Sequence, residues 1–282
     1  MANLTLFNRF LEAHPRLVVL TGAGISAGSG IPTYRDAAGR WLRSQPIQHQ
    51  AFIGDERQRK RYWARSISGW PAVRDARPNQ AHVALSMLER QGRIELLITQ
   101  NVDRLHQRAG SRQVADLHGR LDRVKCLGCG WRYSRESIQQ RLLSDNPHIR
   151  PGAGTTLPDG DADIADQVVE GVKVPGCANC GGILKPDVVF FGGNVPGEKV
   201  AYCMAALERA DALLVAGSSL QVWSGFRFCK RAAALGKPVA IINPGQTRAD
   251  ALAALRVPAD CGRLLHDAAA TLQPRGEAAL PG

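Results

Sequence analysis

The chain has 282 residues, 44% hydrophobic and 22% charged, with 36 Lys and Arg against 25 Asp and Glu, a formal net charge of +11. That is enough apolar material for one large or two unequal domains with a real core. The basic balance points to anionic partners: nucleic acid, an anionic surface or a polyanionic cofactor. No stretch approaches the roughly 20 apolar residues of a membrane span, and residues 1–16 lack the apolar centre of a secretory signal.

In chain order, apolar residues at 4, 7, 10 and 11 predict a helix over 4–13. The run Leu17-Val-Val-Leu20, bounded by Thr21-Gly22, predicts a short buried strand. Gly22, Gly24 and Ala27 then fit G-x-G-x-x-G/A, the spacing that gives a tight turn and brings backbone close to a pyrophosphate. A glycine-rich strand-to-helix turn without ligand fits the same residues. An acidic ribose-holding residue about 20 positions on is missing. Instead Gly28-Ser-Gly-Ile-Pro32 stops any long helix, and Tyr34-Arg35-Asp36 falls in a polar loop suited to closing over a cofactor.

Residues 41–54 read as loop, and 55–69 as a strongly basic helix with Arg57, Arg61 and Arg65 on one face. Such a face is either solvated or an anion reader at a pocket mouth. A helix capped by Asn79 follows to about residue 91. Residues 94–99 read as a strand that ends in Gln100-Asn-Val-Asp103, polar groups where open α/β sheets place their ligands. A short helix carries Leu105 and His106, and a third strand over 114–117 ends in His118-Gly119.

From Cys126 to Cys180 the chain turns rich in Gly, Pro and Asp. We place a small domain there, with a long connection over 146–175. Strands are then predicted over 187–191, 212–216 and 239–243, separated by helices over 197–210 and 225–235. The alternation implies a parallel sheet with helices on both faces. The division is 1–120 with 184–282 as the main domain, 121–183 as the inserted small domain, and a second, helical insertion over about 37–80.

Seven cysteines are odd in number, and four stand as Cys126-x-x-Cys129 and Cys177-x-x-Cys180. This pattern argues for metal in a reducing, cytoplasmic compartment rather than for disulfides. Four thiolates make a closed tetrahedral zinc site, structural because no position is left for substrate. A redox dithiol would not need two pairs. Cys203 and Cys229, in apolar helices, read as buried and inert. Among seven histidines, His118 stands out because it ends a strand beside Gln100 to Asp103, and an imidazole near neutral pKa suits proton removal from a hydroxyl.

Gly22-Ala-Gly-x-Ser26, Gly30-Ile-Pro-x-Tyr-Arg-Asp36, Thr99-Gln-Asn-Val-Asp103, Leu117-His-Gly119, the two Cys-x-x-Cys pairs and Val215-Ala-Gly-Ser-Ser219 together resemble the sirtuins. The resemblance covers nearly the whole chain. It implies an inverted Rossmann-like domain with a small zinc domain, and an NAD-dependent protein lysine deacylase. Arg61-Tyr-Trp-Ala-Arg65, Pro158-Asp-Gly-Asp161 and Ser218-Ser-Leu-Gln-Val222 are similar to the class II, lipoamidase-like branch.

By that resemblance, Gly22, Ala23, Gly24, Ile25, Ser26, Tyr34, Arg35 and Asp36 line the NAD site. Gln100, Asn101, Val102 and Asp103 hold the nicotinamide and its ribose. Gly217, Ser218, Ser219, Asn243, Pro244 and Gly245 bind phosphate and the adenosine ribose, with Cys261 near the adenine. The acyl oxygen attacks the anomeric carbon and nicotinamide leaves. His118 is then the general base on a ribose hydroxyl, Asn101 positions water or substrate, and the products are lysine and O-acyl-ADP-ribose. Peptide pairs by strand addition with Val188, Phe190, Phe191 and Gly192 and with residues 217–220 or the turn after them. Tyr62 and Arg65 have the spacing that reads an acidic acyl group such as glutaryl; equally, Arg65 pairs with a structural carboxylate.

The partners are thus acyl-lysine proteins or peptides, acting on a monomer without a membrane. The alternative on the same cofactor site is protein mono-ADP-ribosyl transfer. A zinc-ribbon nucleic-acid module, prompted by the charge, leaves Gln100 to Asp103 and His118 unexplained.

Overall fold

The computed structural model describes residues 2–34, 40, 46–152, 156–162 and 169–272; Arg35 and Asp36 lie outside them. Helix α1 (Ala2–Ala13) turns Phe7, Phe10 and Leu11 inward, as their spacing dictates. Strand β1 (Leu17–Thr21) is buried at all five positions. Leu17 and Val19 enter one core, Val18 and Leu20 another, the two-sided burial that makes a covered parallel strand a continuous apolar run. A single turn, α2 (Ala23–Ser26), passes into a 3-10 turn that Gly30 ends at φ 81°.

Residues 49–54 are not loop but helix α3 (His49–Gly54), held because Phe52 is fully buried edge-on to the Tyr62 and Phe190 rings. Helix α4 (Glu56–Asp75) starts on an Asp55 cap, and its stretch from Trp63 to Trp70 is buried, so only its first turns form a solvated basic face. Helix α5 (Gln80–Arg90) opens on a reciprocal cap between Asn79 and His82. Then come β2 (Ile94–Thr99), α6 (Leu105–Arg108), β3 (Val114–Asp116), β4 (Gly119–Cys126), β5 (Arg132–Ser134) and α7 (Arg135–Asp145). The remainder runs β6 (Thr156–Leu157), β7 (Asp161–Ala162), β8 (Leu184–Val188), α8 (Gly197–Arg209), β9 (Ala212–Ala216), α9 (Trp223–Ala234), β10 (Val239–Ile242), β11 (Leu255–Val257) and α10 (Cys261–Thr271).

The main sheet runs β11-β10-β9-β1-β2-β3, every pair parallel. Helices α1, α5 and α10 supply the core on one face, α8 and α9 that on the other. Burying each Leu, Ile or Val of these strands contributes about 1.5–3 kcal/mol. The strand order reverses between β1 and β9, where an open α/β sheet forms its ligand crevice.

A second sheet, β5-β4-β8, is antiparallel. This corrects the strand expected over 187–191. The strand is Leu184–Val188, and it pairs with β4 instead of joining the parallel sheet. The apolar run that follows it lines the crevice rather than a sheet interior. The connection over 146–175 carries the hairpin β6-β7, which lies on α4 so closely that a Cβ on Gly69 would sit 2.4 Å from the Asp161 carbonyl oxygen.

Candidate functional site

The crevice opens where β1 and β9 part. The turns after these strands meet backbone to backbone: Gly24 N–H donates to the Gly217 carbonyl at 2.8 Å. Gly217 stands at φ 64°, and a Cβ there would meet Ile25 N at 2.4 Å, so only glycine fits. The resulting cavity is about 540 Å³. It is lined by Gly22, Ala23, Gly24, Gly217, Ser218, Ser219, Asn243, Pro244, Gly245 and Cys261, together with Tyr34, Gln100, Asn101, Val102, His118, Val188, Phe190, Phe191 and Gly192.

Thus most of the sequence-predicted cofactor residues come together in one crevice. The glycine cradle at the switch point leaves main chain exposed to a phosphate and keeps side chains out of its space, which suits a dinucleotide. The cradle itself carries no carboxylate to repel a pyrophosphate; Asp260 is a lining residue beside Cys261.

Ile25 and Ser26 stand behind the crevice wall, both buried. Asn101 donates to the Gly22 carbonyl at 3.1 Å and to Ser26 Oγ at 2.9 Å. Ser26 in turn donates to Asp103 at 2.7 Å. Asp103 also caps α6 by accepting from Leu105 N, and burial raises its carboxyl above the usual range. This chain fixes the Asn101 amide in the crevice lining. Gln100 spans the β1 and β9 turns, donating to the Thr21 carbonyl at 3.2 Å and Ser218 Oγ at 2.9 Å.

His118 lies at the junction of the two sheets. Its Nδ1 is 2.9 Å from the Gln100 carbonyl and its Nε2 is 2.7 Å from Ser224 Oγ. A carbonyl only accepts, so Nδ1 carries the proton and Nε2 is the bare acceptor, receiving the Ser224 hydroxyl. Burial pushes the imidazole down to about 4, against the pull of the Gln100 carbonyl. The ring is therefore neutral at pH 7 and ready to take a proton at Nε2. Ser224, Trp223 and Arg227 line the crevice as well; sequence reasoning missed them, since nothing local in Trp223-Ser-Gly-Phe-Arg227 signals a contact with residue 118.

The Sγ atoms of Cys126, Cys129, Cys177 and Cys180 all lie within 4.8 Å of one another. Four sulfurs at about 2.3 Å from a tetrahedral zinc stand about 3.8 Å apart, so the cluster fits that ion and leaves it no open position. Cys126 and Cys177 join the apolar cluster around Trp63 and Ile138, so the metal site and the small module's core are one unit.

Tyr62 and Arg65 are not among the crevice-lining residues. Tyr62 packs against Phe52, Trp63 and Phe190, with ring centroids 5.2–5.5 Å away. Arg65 is 8% exposed and forks onto Asp161, Nε to Oδ1 and Nη2 to Oδ2 both at 2.7 Å, with Nε also reaching the Ala162 carbonyl. Of the two sequence readings of Arg65, the geometry matches the structural carboxylate.

A nucleotide-binding α/β sheet, a four-cysteine module and a half-buried neutral histidine at the junction of the two sheets define an enzyme that works on a dinucleotide. A Sir2 family profile matches residues 22–224. The chain is 55% identical over 256 residues to an NAD-dependent protein deacetylase of Xanthomonas campestris, covering 91% of this chain and 87% of that one. It is 52% identical over 267 residues to that of Bordetella bronchiseptica, covering 95% and 97%. To the human mitochondrial NAD-dependent protein lipoamidase sirtuin-4 it is 48% identical over 260 residues, covering 91% and 83%. A solved Sir2–p53 peptide–NAD+ structure superposes with a TM-score of 0.77 at 31% identity, covering 94% of this chain and 96% of that one. The chain belongs to the Sir2 family, the sirtuins.

Proposed function

We infer that this chain is an NAD-dependent protein lysine deacylase that yields nicotinamide, O-acyl-ADP-ribose and free lysine. The observation that carries the reading is His118: a neutral imidazole with its acceptor nitrogen in the lining of a glycine-cradled crevice. Relatives named as NAD-dependent deacetylases and a lipoamidase support it over ADP-ribosyl transfer.

NAD, when bound, supplies an anomeric carbon from which nicotinamide departs. The glycine-rich turns after β1 and β9 hold the phosphates, with Asn243, Pro244, Gly245 and Cys261 at the adenosine end. Tyr34 lines the crevice beside the cofactor, and Gln100, Val102 and Asp103 hold the nicotinamide end. Asn101, aimed by Ser26 and Asp103, orients water or substrate. His118 takes the ribose hydroxyl proton at Nε2 and keeps Nδ1–H on the Gln100 carbonyl.

Peptide enters beside Val188, Phe190, Phe191 and Gly192. The Phe191 and Phe190 carbonyls already accept from His49 and Gly193, so strand addition draws on Gly192 and on the turn after β9. An acidic-acyl reader at Tyr62 and Arg65 requires Arg65 to exchange Asp161 for the acyl carboxylate. Zinc on the four cysteines is structural. We place the enzyme in the cytoplasm as a monomer, with the main domain at 1–120 and 184–282 and the small domain at 121–183. No helix among the described residues is long and apolar enough to cross a membrane.

The test is nicotinamide release from NAD over acetyl-, glutaryl-, methylglutaryl- and lipoyl-lysine peptides, with His118→Tyr as control. Acyl-dependent release that disappears in the variant is expected. Release indifferent to the peptide would transfer the reading to ADP-ribosyl transfer.

A further inference from the structure

The first two turns of α9 carry an aromatic and basic rim at the crevice mouth. Trp223 is 50% exposed and Val222 37%. Arg248 lies 4.5 Å over the Phe226 ring and 5.8 Å over that of Trp223, and Lys230 Nζ also stands 5.8 Å from the Trp223 ring centre. Lys230 and Arg248 are exposed and Arg227 is half-buried. Among the described residues none of these three cations joins an ion pair. Nε of Arg227 is buried without a hydrogen-bond partner. Other arginines are matched, Arg231 with Glu208, Arg209 with Glu95 and Arg256 with Asp250, whereas Lys230 and Arg248 stand beside aromatic rings and Arg227 lines the crevice instead.

We propose that this rim is the docking surface for acidic residues flanking the acyl-lysine of a substrate protein. The inference rests on the deacylase reading and deepens it. Val222, Trp223 and Arg227 line the same crevice as His118, so a chain that delivers a lysine there runs over α9 immediately outside. Unpaired cations beside a half-exposed indole complement carboxylates on an extended peptide. The indole offers apolar contact, and the cations steer approach and fix register. A nucleic acid would meet three cations that end at a crevice holding protein-modifying chemistry; an acidic peptide uses both features.

The experiment compares acetyl-lysine peptides flanked by Asp and Glu, by uncharged residues, or by Lys and Arg, on the full chain with NAD. Exposed charge pairs are individually weak, so their sum predicts a KM about three- to tenfold lower for the acidic peptide than for the uncharged one. It should be higher still for the basic peptide, with kcat alike. The difference should shrink as salt rises, because screening over about 10 Å at 0.1 M falls with ionic strength. In Lys230→Glu/Arg248→Glu the acidic-to-basic ratio of kcat/KM inverts, a readout that misfolding would not produce. Equal KM across flanks, or an acidic preference that survives the double variant, overturns the proposal. So does loss of DNA binding in that variant with peptide preference intact, which would make the rim a nucleic-acid surface. Fluorescence anisotropy of the same peptides separates the two readings. Acidic preference without turnover retains the rim and overturns the deacylase; turnover without preference does the reverse.

Discussion

At the scale of single residues, His118 is fixed by two hydrogen bonds of opposite sense. Its Nδ1–H donates to Gln100 and its Nε2 accepts from Ser224. The second bond stabilises the unprotonated ring, so Ser224→Ala should move the acid limb of the kcat/KM profile up by roughly half a unit to one unit. A pH–rate profile identical to wild type would remove Ser224 from that role. Arg65→Met should cost about 2 kcal/mol in urea unfolding, because it strands the Asp161 carboxylate, which burial already drives up and Arg65 pulls down. An unchanged acetyl-to-glutaryl preference in the same variant would assign Arg65 to structure alone. His118, the asparagine and glutamine after β2, and the four cysteines were legible because each stands in a tight local motif. Ser224 and the partner of Arg65 were not, since their contacts span 106 and 96 residues and leave no local mark.

Elements were legible where burial imposes a period. The apolar runs of β1, β2, β9 and β10, buried on both faces, and the capped helix α5 stand where the pattern put them. The run Val188-Val-Phe-Phe191 misled because its apolar side chains face a ligand crevice, and a strand-like composition does not say which surface it covers. Two predictions belong to this scale. Gly69→Ala puts a Cβ against main chain of β7, so it should loosen the hairpin from α4. The expected loss is about 1–3 kcal/mol, with faster proteolytic cutting within 146–175; unaltered cutting would contradict that packing. Chelating zinc should collapse the module whose core includes Cys126, Cys177 and Trp63. One zinc per chain by elemental analysis, and a red shift of tryptophan emission on its removal, are the expected signs.

For the whole molecule, acid is the expected weakness. Burial lowers His118 and His82 to about 4 and His106 well below 6.5. In the unfolded chain each regains an ordinary value near 6.5, so between these limits the unfolded state binds more protons. Stability is thus fully present above about pH 6.5 and drains as pH falls toward 4, by up to roughly 3 kcal/mol for each of His118 and His82. Thermal melts from pH 7.5 to 4.5 check this; a flat Tm would show that these rings titrate normally. The surplus of +11 was visible from composition, but the gathering of Arg227, Lys230 and Arg248 beside Trp223 at one rim needed the fold.

Strands β1 and β9 pair side by side although Thr21 and Ala216 are about 195 residues apart in the chain. The crevice lies between these two strands' turns, and part of its lining waits for residues 243–245. Closing so long a loop is entropically slow and is rewarded only when both strands are present. During synthesis β2 can join the N-terminal strand early, but that strand and its glycine turn must persist without β9 on the other side until most of the chain has left the ribosome. The complete crevice is therefore among the last features the nascent protein acquires, and termination before residue 243 leaves a polypeptide without the Asn243, Pro244, Gly245 and Cys261 part of its lining.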